Sequence, residues 1–84
     1  MAHVYILRSK KDKRFYIGST NDLGERLKRH NSGYEKATRP YRPYEIVFKQ
    51  ECLDIREARA LEQKIKRWKK RELIQKIINS GSIY

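Results

Sequence analysis

Cysteine, tryptophan and methionine occur once each in these 84 residues, proline twice and glycine four times, and 10 acidic residues face 21 lysines and arginines. Each shortage excludes something. The single Cys52 rules out an internal disulfide. With only His3 and His30 to join it there are too few ligands for a closed zinc site, so it reads as a small residue at a strand end. No run of apolar residues approaches a membrane span, and Met1 to Leu7 is too short for a secretion signal, so the expectation is an intracellular, cytoplasmic protein with no membrane attachment. Repeats, low-complexity tracts and linkers are missing too, which leaves residues 1–84 as one domain.

A domain this small buries only roughly 60 to 65 % of its unfolded surface. With 38 % hydrophobic residues it has enough apolar side chains to fold rather than stay disordered. The net charge of +11 exceeds what solubility requires and would repel itself without a polyanionic neighbour. The basic residues are spread over every segment instead of lying opposite bulky apolar ones on one helix, which favours nucleic acid over a membrane surface.

Val4 to Leu7 and Phe15 to Ile17 are rich in β-branched and aromatic residues, and the polar RSKKDKR between them reads as the loop of a hairpin. A third strand is expected over Tyr44 to Glu51, after the turn signals of Pro40 and Pro43. Between the second and third strands, Asn21 or Asp22 can cap a helix carrying Leu23, Leu27 and His30 on one side, with Gly33 as its stop. Asp54 with Glu57 approximates a capping box for a later helix with the stripe Ala58, Leu61, Ile65 and Trp68. Continued in phase, that stripe would bury Glu72 and Lys76. The next apolar residues, Leu73, Ile74, Ile77 and Ile78, are rotated off it, so a break near Lys69 to Arg71 and a further helix are predicted. The order is ββαβαα, an α/β (α+β) fold with a three-stranded antiparallel sheet flanked by helices.

Several chemistry-bearing residues fall at the ends of these elements. Gly18 closes the second strand, where a missing Cβ lets a backbone or a phosphate approach. Arg26 and His30, four apart, rise toward one side of the following helix, and Arg26 suits bidentate phosphate binding. Tyr5 and Tyr16, in the two arms of the hairpin, can share a sheet face. The set Val4-Tyr5-Ile6, Tyr16-Ile17-Gly18, Arg26, His30 and Glu62 resembles the GIY-YIG nucleases, in particular their small one-domain members. The resemblance runs from Val4 to about Asn79 and takes in Ser19, Thr20, Asn31, Thr38, Pro43 and EARALEQKIKRW around Glu62. It departs at His3-Val4-Tyr5, where the first motif has Gly-Ile-Tyr.

The resemblance implies an endonuclease that hydrolyses DNA phosphodiesters with one divalent cation, Mg²⁺ or Mn²⁺, and no organic cofactor. Glu62 would ligate the metal through the hard oxygen donor that Mg²⁺ prefers. Tyr5 is the favoured base for the attacking water, with the choice between it and Tyr16 left open, the reference phenol pKa near 10 being high for that task at neutral pH. Tyr16 would position the water or a phosphate oxygen, Arg26 would stabilise developing charge, and His30 would bond a tyrosine hydroxyl. Asn79 would support the site from the last helix or cap that helix. The loop Ser32 to Glu45 offers Arg39 and Arg42 for a DNA backbone and Tyr34, Tyr41 and Tyr44 for unpaired bases. Lys66, Arg67, Lys69, Lys70 and Arg71 would contact phosphates without reading sequence.

Each residue also has a plainer role. Tyrosines at strand ends commonly pack with one hydrogen bond, His30 suits a structural site on an apolar helix edge, and Glu62 sits four residues from Lys66 in an ordinary helix pair. Competing with the nuclease are a non-catalytic basic nucleic-acid-binding module on the same fold and a ribosome- or RNA-associated basic protein. Charge alone fits all three, whereas the intact set of five favours the enzyme. All of them share one expectation. DNA affinity should fall with salt at a log–log slope of several units, because Lys and Arg contacts to phosphate release counterions; binding indifferent to salt in a fluorescence anisotropy titration would contradict it.

Overall fold

The computed structural model describes residues 1–36, 38–68 and 71–81. Strands β1 (Ala2–Ser9) and β2 (Phe15–Thr20) form the hairpin and α1 (Leu23–Asn31) follows. Then come one 3₁₀ turn (Arg39–Tyr41), β3 (Tyr44–Cys52), α2 (Ile55–Trp68) and α3 (Arg71–Ser80). The sheet is antiparallel with order β2-β1-β3. The predicted order and fold class are the observed ones. The strands run longer than expected because β1 pairs with β3 along its whole length, from Ala2 opposite Cys52 to Ser9 opposite Tyr44, and with β2 from His3 to Arg8.

Caps explain where the helices start and stop. Asp22 accepts the Glu25 N–H at 3.1 Å and Asp54 accepts that of Glu57 at 2.9 Å, each satisfying one of the orphan donors of a first turn. At the end of α1, Gly33 adopts φ +81°, its N–H bonds to the His30 carbonyl and the Tyr34 N–H to that of Arg29, a Schellman arrangement. The segment after it, expected to be a loop, contains the short 3₁₀ turn. Helix α2 ends at Trp68 and α3 begins at Arg71, on either side of the point where the apolar stripe loses phase; Lys69 and Lys70 lie outside the described residues.

The sheet separates two apolar clusters. Ala2, Val4, Ile6, Ile17, Phe48 and Cys52 meet Ala58, Leu61 and Ile65 of α2 and Ile74 and Ile77 of α3 on one side. Tyr5, Leu7 and Tyr44 meet Leu23 and Leu27 of α1 on the other. A bulge divides β3 between them, since Ile6 pairs with Phe48 but Leu7 pairs with Ile46. The extra residue, Val47, reverses the side-chain alternation, so Tyr44 and Ile46 face α1 while Phe48 and Cys52 face α2 and α3.

Gly18 stands opposite Tyr5 in the hairpin register. A Cβ on Gly18 would overlap the Tyr5 hydroxyl and lie 2.6 Å from the ring's Cζ. Gly18→Ala should therefore destabilise the fold by about 1 to 3 kcal/mol through overpacking, lowering the melting temperature by several degrees. Tyr5→Phe should not relieve it, since the Cζ remains, whereas in a Tyr5→Ala background the glycine substitution should cost little. Thermal unfolding of Gly18→Ala, Tyr5→Phe, Tyr5→Ala and the two double variants checks both.

Candidate active site

Strand β2 supplies the middle of the site. Among the described residues its outer edge has no strand partner, and α1 and α2 pack on opposite faces of the sheet. Tyr5 and Tyr16 lie on the α1 face, since Tyr5 pairs with Gly18 and Leu7 with Tyr16. Burial differs sharply between them: Tyr5 is 1 % exposed, whereas Tyr16 is only half-buried.

His30 is wholly buried between the tyrosines and the following loop. The Tyr16 ring meets it edge-on at 4.7 Å between centroids. The Tyr5 hydroxyl is 3.4 Å from Nε2, and the Thr38 hydroxyl 3.0 Å from Nδ1. Thr38 also donates to the Glu35 carbonyl at 3.4 Å. A hydroxyl has one proton, so with it on that carbonyl Thr38 accepts from Nδ1–H, and Nε2 is left to accept from Tyr5. The chain of donors runs from Tyr5 to His30 to Thr38 to the backbone.

Electrostatics follow from this burial. Desolvation pushes the Tyr5 phenol up; Tyr16 and Glu62 add to the effect and the Arg26 guanidinium opposes it. Desolvation likewise pushes His30 below its ordinary range, Glu35 opposing and Arg26 and Arg29 assisting. Tyr5, favoured from sequence as the base for water, is therefore costly to ionise and is shut away from solvent.

On the other face of β2, Glu62 of α2 is held by two partners. Ser19 Oγ donates to Oε1 at 2.5 Å and Lys66 Nζ to Oε2 at 2.6 Å, with the carboxylate side chain 15 % exposed. Arg26 lines an open depression of about 300 Å³ with Ser19, Glu25, Arg29, Ile55 and Arg59. Among the described residues neither Arg26 nor Arg59 has an ion-pair partner. Among those residues, too, no three of His, Cys, Asp and Glu cluster as a metal cage. A cation here would rest on Glu62 plus water and a phosphate, which suits Mg²⁺ and not a closed zinc centre.

Tyr5, Tyr16, Arg26, His30 and Glu62 thus converge on β2, while other sequence-based assignments change. Gly18 does not open room for a phosphate, because the Tyr5 ring fills the space over its Cα. Asn79 is not brought to the site: α3 packs toward β3, at the far edge of the sheet, and the Asn79 side chain accepts from Gln75 on its own helix at 3.0 Å. Arg39 and Arg42 both engage Gly33, the first through a 2.6 Å bond from Nε to its carbonyl. Lys66 is tied to Glu62. Tyr44 is buried and Tyr41 is covered by the Arg14 guanidinium, which lies 3.5 Å from its ring centroid. Sequence reasoning gave no role to Thr38 or Ser19, whose partners lie 8 and 43 residues away, nor to Arg59. The signal for Arg59 was its position one helical turn before Glu62.

Frame and residues together are those of a nuclease-type domain. The chain belongs to the GIY-YIG family: the model of the GIY-YIG catalytic domain matches residues 1–77. It is similar to a UPF0213 protein of Clostridium perfringens, 39 % identical over 84 residues, covering 99 % of this chain and 88 % of the relative. It is also similar to the UPF0213 protein YazA of Bacillus subtilis, 38 % identical over 82 residues, covering 93 % and 83 %. A UPF0213 protein of Bacillus pumilus is 40 % identical over 74 residues, covering 84 % and 74 %. No solved structure matches. The GIY-YIG domain is generally a nuclease domain that typically uses a divalent metal, and a nuclease domain implies DNA as a substrate; the UPF0213 names carry no specific activity.

The buried imidazole sets a pH dependence. The unfolded chain takes up a proton near the ordinary histidine value of about 6.5, while folded His30 stays neutral to lower pH. Between those two values the unfolded state binds more protons, so stability falls as pH falls below about 6.5. The melting temperature should decline from pH 7 to pH 5, and His30→Gln should flatten that slope. An equal slope in both proteins would remove His30 as its source.

Proposed function

We propose that this chain, acting as one catalytic domain in the cytoplasm, is a metal-dependent endonuclease that hydrolyses DNA phosphodiester bonds. The observation that carries the reading is Glu62, a carboxylate side chain 15 % exposed and held by Ser19 of β2, the strand that also bears Tyr16 and pairs with Tyr5, with Arg26 lining the depression that Ser19 borders. A surface carboxylate that served only a helix pair would be solvated and would need no hydroxyl from another element. Single-stranded, branched and damaged DNA are the substrate forms that this open site favours.

Glu62 would hold Mg²⁺ or Mn²⁺. A divalent cation so bound supplies charge to the phosphate and the leaving oxygen. Arg26, without an ion pair among the described residues, is free to bind the non-bridging phosphate oxygens and strengthen that bond as charge builds. Tyr16 keeps access to water and is the phenol assigned to remove its proton. Tyr5 donates its proton to His30 and fixes the ring against which Tyr16 packs, so Thr38 orients Tyr16 through His30. Ser19 would keep its bond to Oε1 while the carboxylate held the metal in place of Lys66.

The Lys66–Glu62 pair is also the observation in favour of a second reading, a non-catalytic basic nucleic-acid-binding module. Glu62→Gln separates the two. In the nuclease, nicking of supercoiled plasmid with Mg²⁺ or Mn²⁺ should drop about a hundredfold or more, since the metal supplies several kcal/mol of charge stabilisation. DNA affinity in chelator should be unchanged or tighter, because a negative charge near the phosphate is gone. Full nicking by Glu62→Gln would remove the metal-site assignment, and a wild type inert on every DNA form with either metal would establish the binding module.

A further inference from the structure

Three tyrosines fall between the end of α1 and the first residue of β3, Tyr34, Tyr41 and Tyr44, and the fold uses two of them. Tyr44 is buried with its ring 6.0 Å from that of His30, and Tyr41 is covered by Arg14. Tyr34 is 68 % exposed. Its backbone is nonetheless fixed, because it follows Gly33 in the Schellman turn and bonds the Arg29 carbonyl at 3.2 Å. That motif usually sets an apolar contact between these two positions. Here the contact is a cation over a ring, with the Arg29 guanidinium 4.5 Å from the Tyr34 centroid and paired to Glu35 at 3.7 Å. Arg39 and Arg42 brace the same turn from Gly33. One face of Tyr34 is covered by Arg29; a ring so exposed must have the other face open to solvent.

The ring stands beside a depression of about 510 Å³ lined by Glu25, Lys28, Arg29, Ser32 and Tyr34. Glu25 and Arg29 also line the depression that holds Arg26 and Arg59, so the two are contiguous. A cationic path leads from an isolated aromatic ring to the guanidinium assigned to the phosphate.

We propose that Tyr34 is a stacking platform for one unpaired base of a DNA strand, whose adjoining phosphates pass Arg29 toward Arg26 and Arg59. The inference rests on the reading of DNA as substrate and specifies its form, since a base inside a duplex already has both faces stacked. A pre-fixed ring loses little freedom on binding, and Lys28, Arg29, Arg26 and Arg59 supply the countercharge for the flanking phosphates. Base–aromatic stacking is tolerant of sequence, so the platform selects for strand separation and not for a motif.

The test is binding in chelator, where cleavage plays no part, to a single-stranded oligonucleotide carrying 2-aminopurine, to a blunt duplex and to single-stranded RNA. Tyr34→Leu should weaken single-strand binding about fivefold or more and leave the duplex within about twofold. Tyr34→Trp should retain single-strand binding and the quenching of 2-aminopurine. Thermal unfolding of Tyr34→Leu confirms that the exposed position leaves the fold intact. Unchanged single-strand binding, an equal loss on duplex, or a loss confined to RNA would overturn the platform. If wild type nicks DNA while Tyr34→Leu binds single strands normally, the platform fails and the nuclease stands. If wild type is inert in cleavage but loses single-strand binding with Tyr34, the nuclease fails and the platform stands.

Discussion

The Tyr5 ring lies over the backbone of Gly18, its cross-strand partner, in space that any larger residue at position 18 would fill. With the ring settled there, its hydroxyl reaches His30, and His30 must be buried and neutral to receive it. A buried imidazole needs partners for both nitrogens, and Thr38, arriving from the far side of α1, completes the requirement. Tyr16 then packs edge-on against a ring that cannot turn. The position of α1 on the sheet, and with it that of Arg26, follows from one close approach.

The two faces of the sheet do different work because β1 is central and buried on both. Its even-numbered residues feed the large apolar cluster under α2 and α3, and its odd-numbered ones feed the tyrosine cluster under α1. Edge strand β2 brings the two sides within reach of each other, since Ser19 faces α2 and neighbouring Gly18 faces α1. Glu62 and Arg26 therefore come to one edge from opposite faces without sharing an element. Asn31 closes the other end of this arrangement. Its amide receives the Tyr44 N–H at 2.6 Å and donates to the Tyr44 carbonyl at 3.2 Å, fastening the end of α1 to the start of β3.

Charge is distributed unevenly over this frame. Arg8 with Glu45, Arg14 with Asp12, Arg29 with Glu35 and Lys66 with Glu62 form ion pairs. Most are partly solvated and contribute little to stability. Arg26 and Arg59, which face the same depression, have no such partner among the described residues. Two neighbouring arginines without ion pairs among the described residues are poorly explained by stability and well explained by an anionic ligand, which is what a net charge of +11 calls for.

The periodicities of the chain determined the element order, because an apolar stripe that loses phase after Trp68 and caps at Asp22 and Asp54 are local signals with local causes. The Gly33 stop was legible for the same reason. The resemblance carried by Tyr5, Tyr16, Arg26, His30 and Glu62 named the set of residues that the fold gathers on β2. Tertiary structure alone decided the rest. Alternation in YEIVFKQE puts Tyr44, Ile46 and Phe48 on one face, and only pairing with β1 introduces the bulge at Val47 that divides them. Gly18 reads as open space until a ring from another strand fills it. Which tyrosine stays wet, which arginine stays unpaired and which of three loop aromatics stays exposed are questions of burial between elements distant in sequence, and a linear pattern holds no record of them.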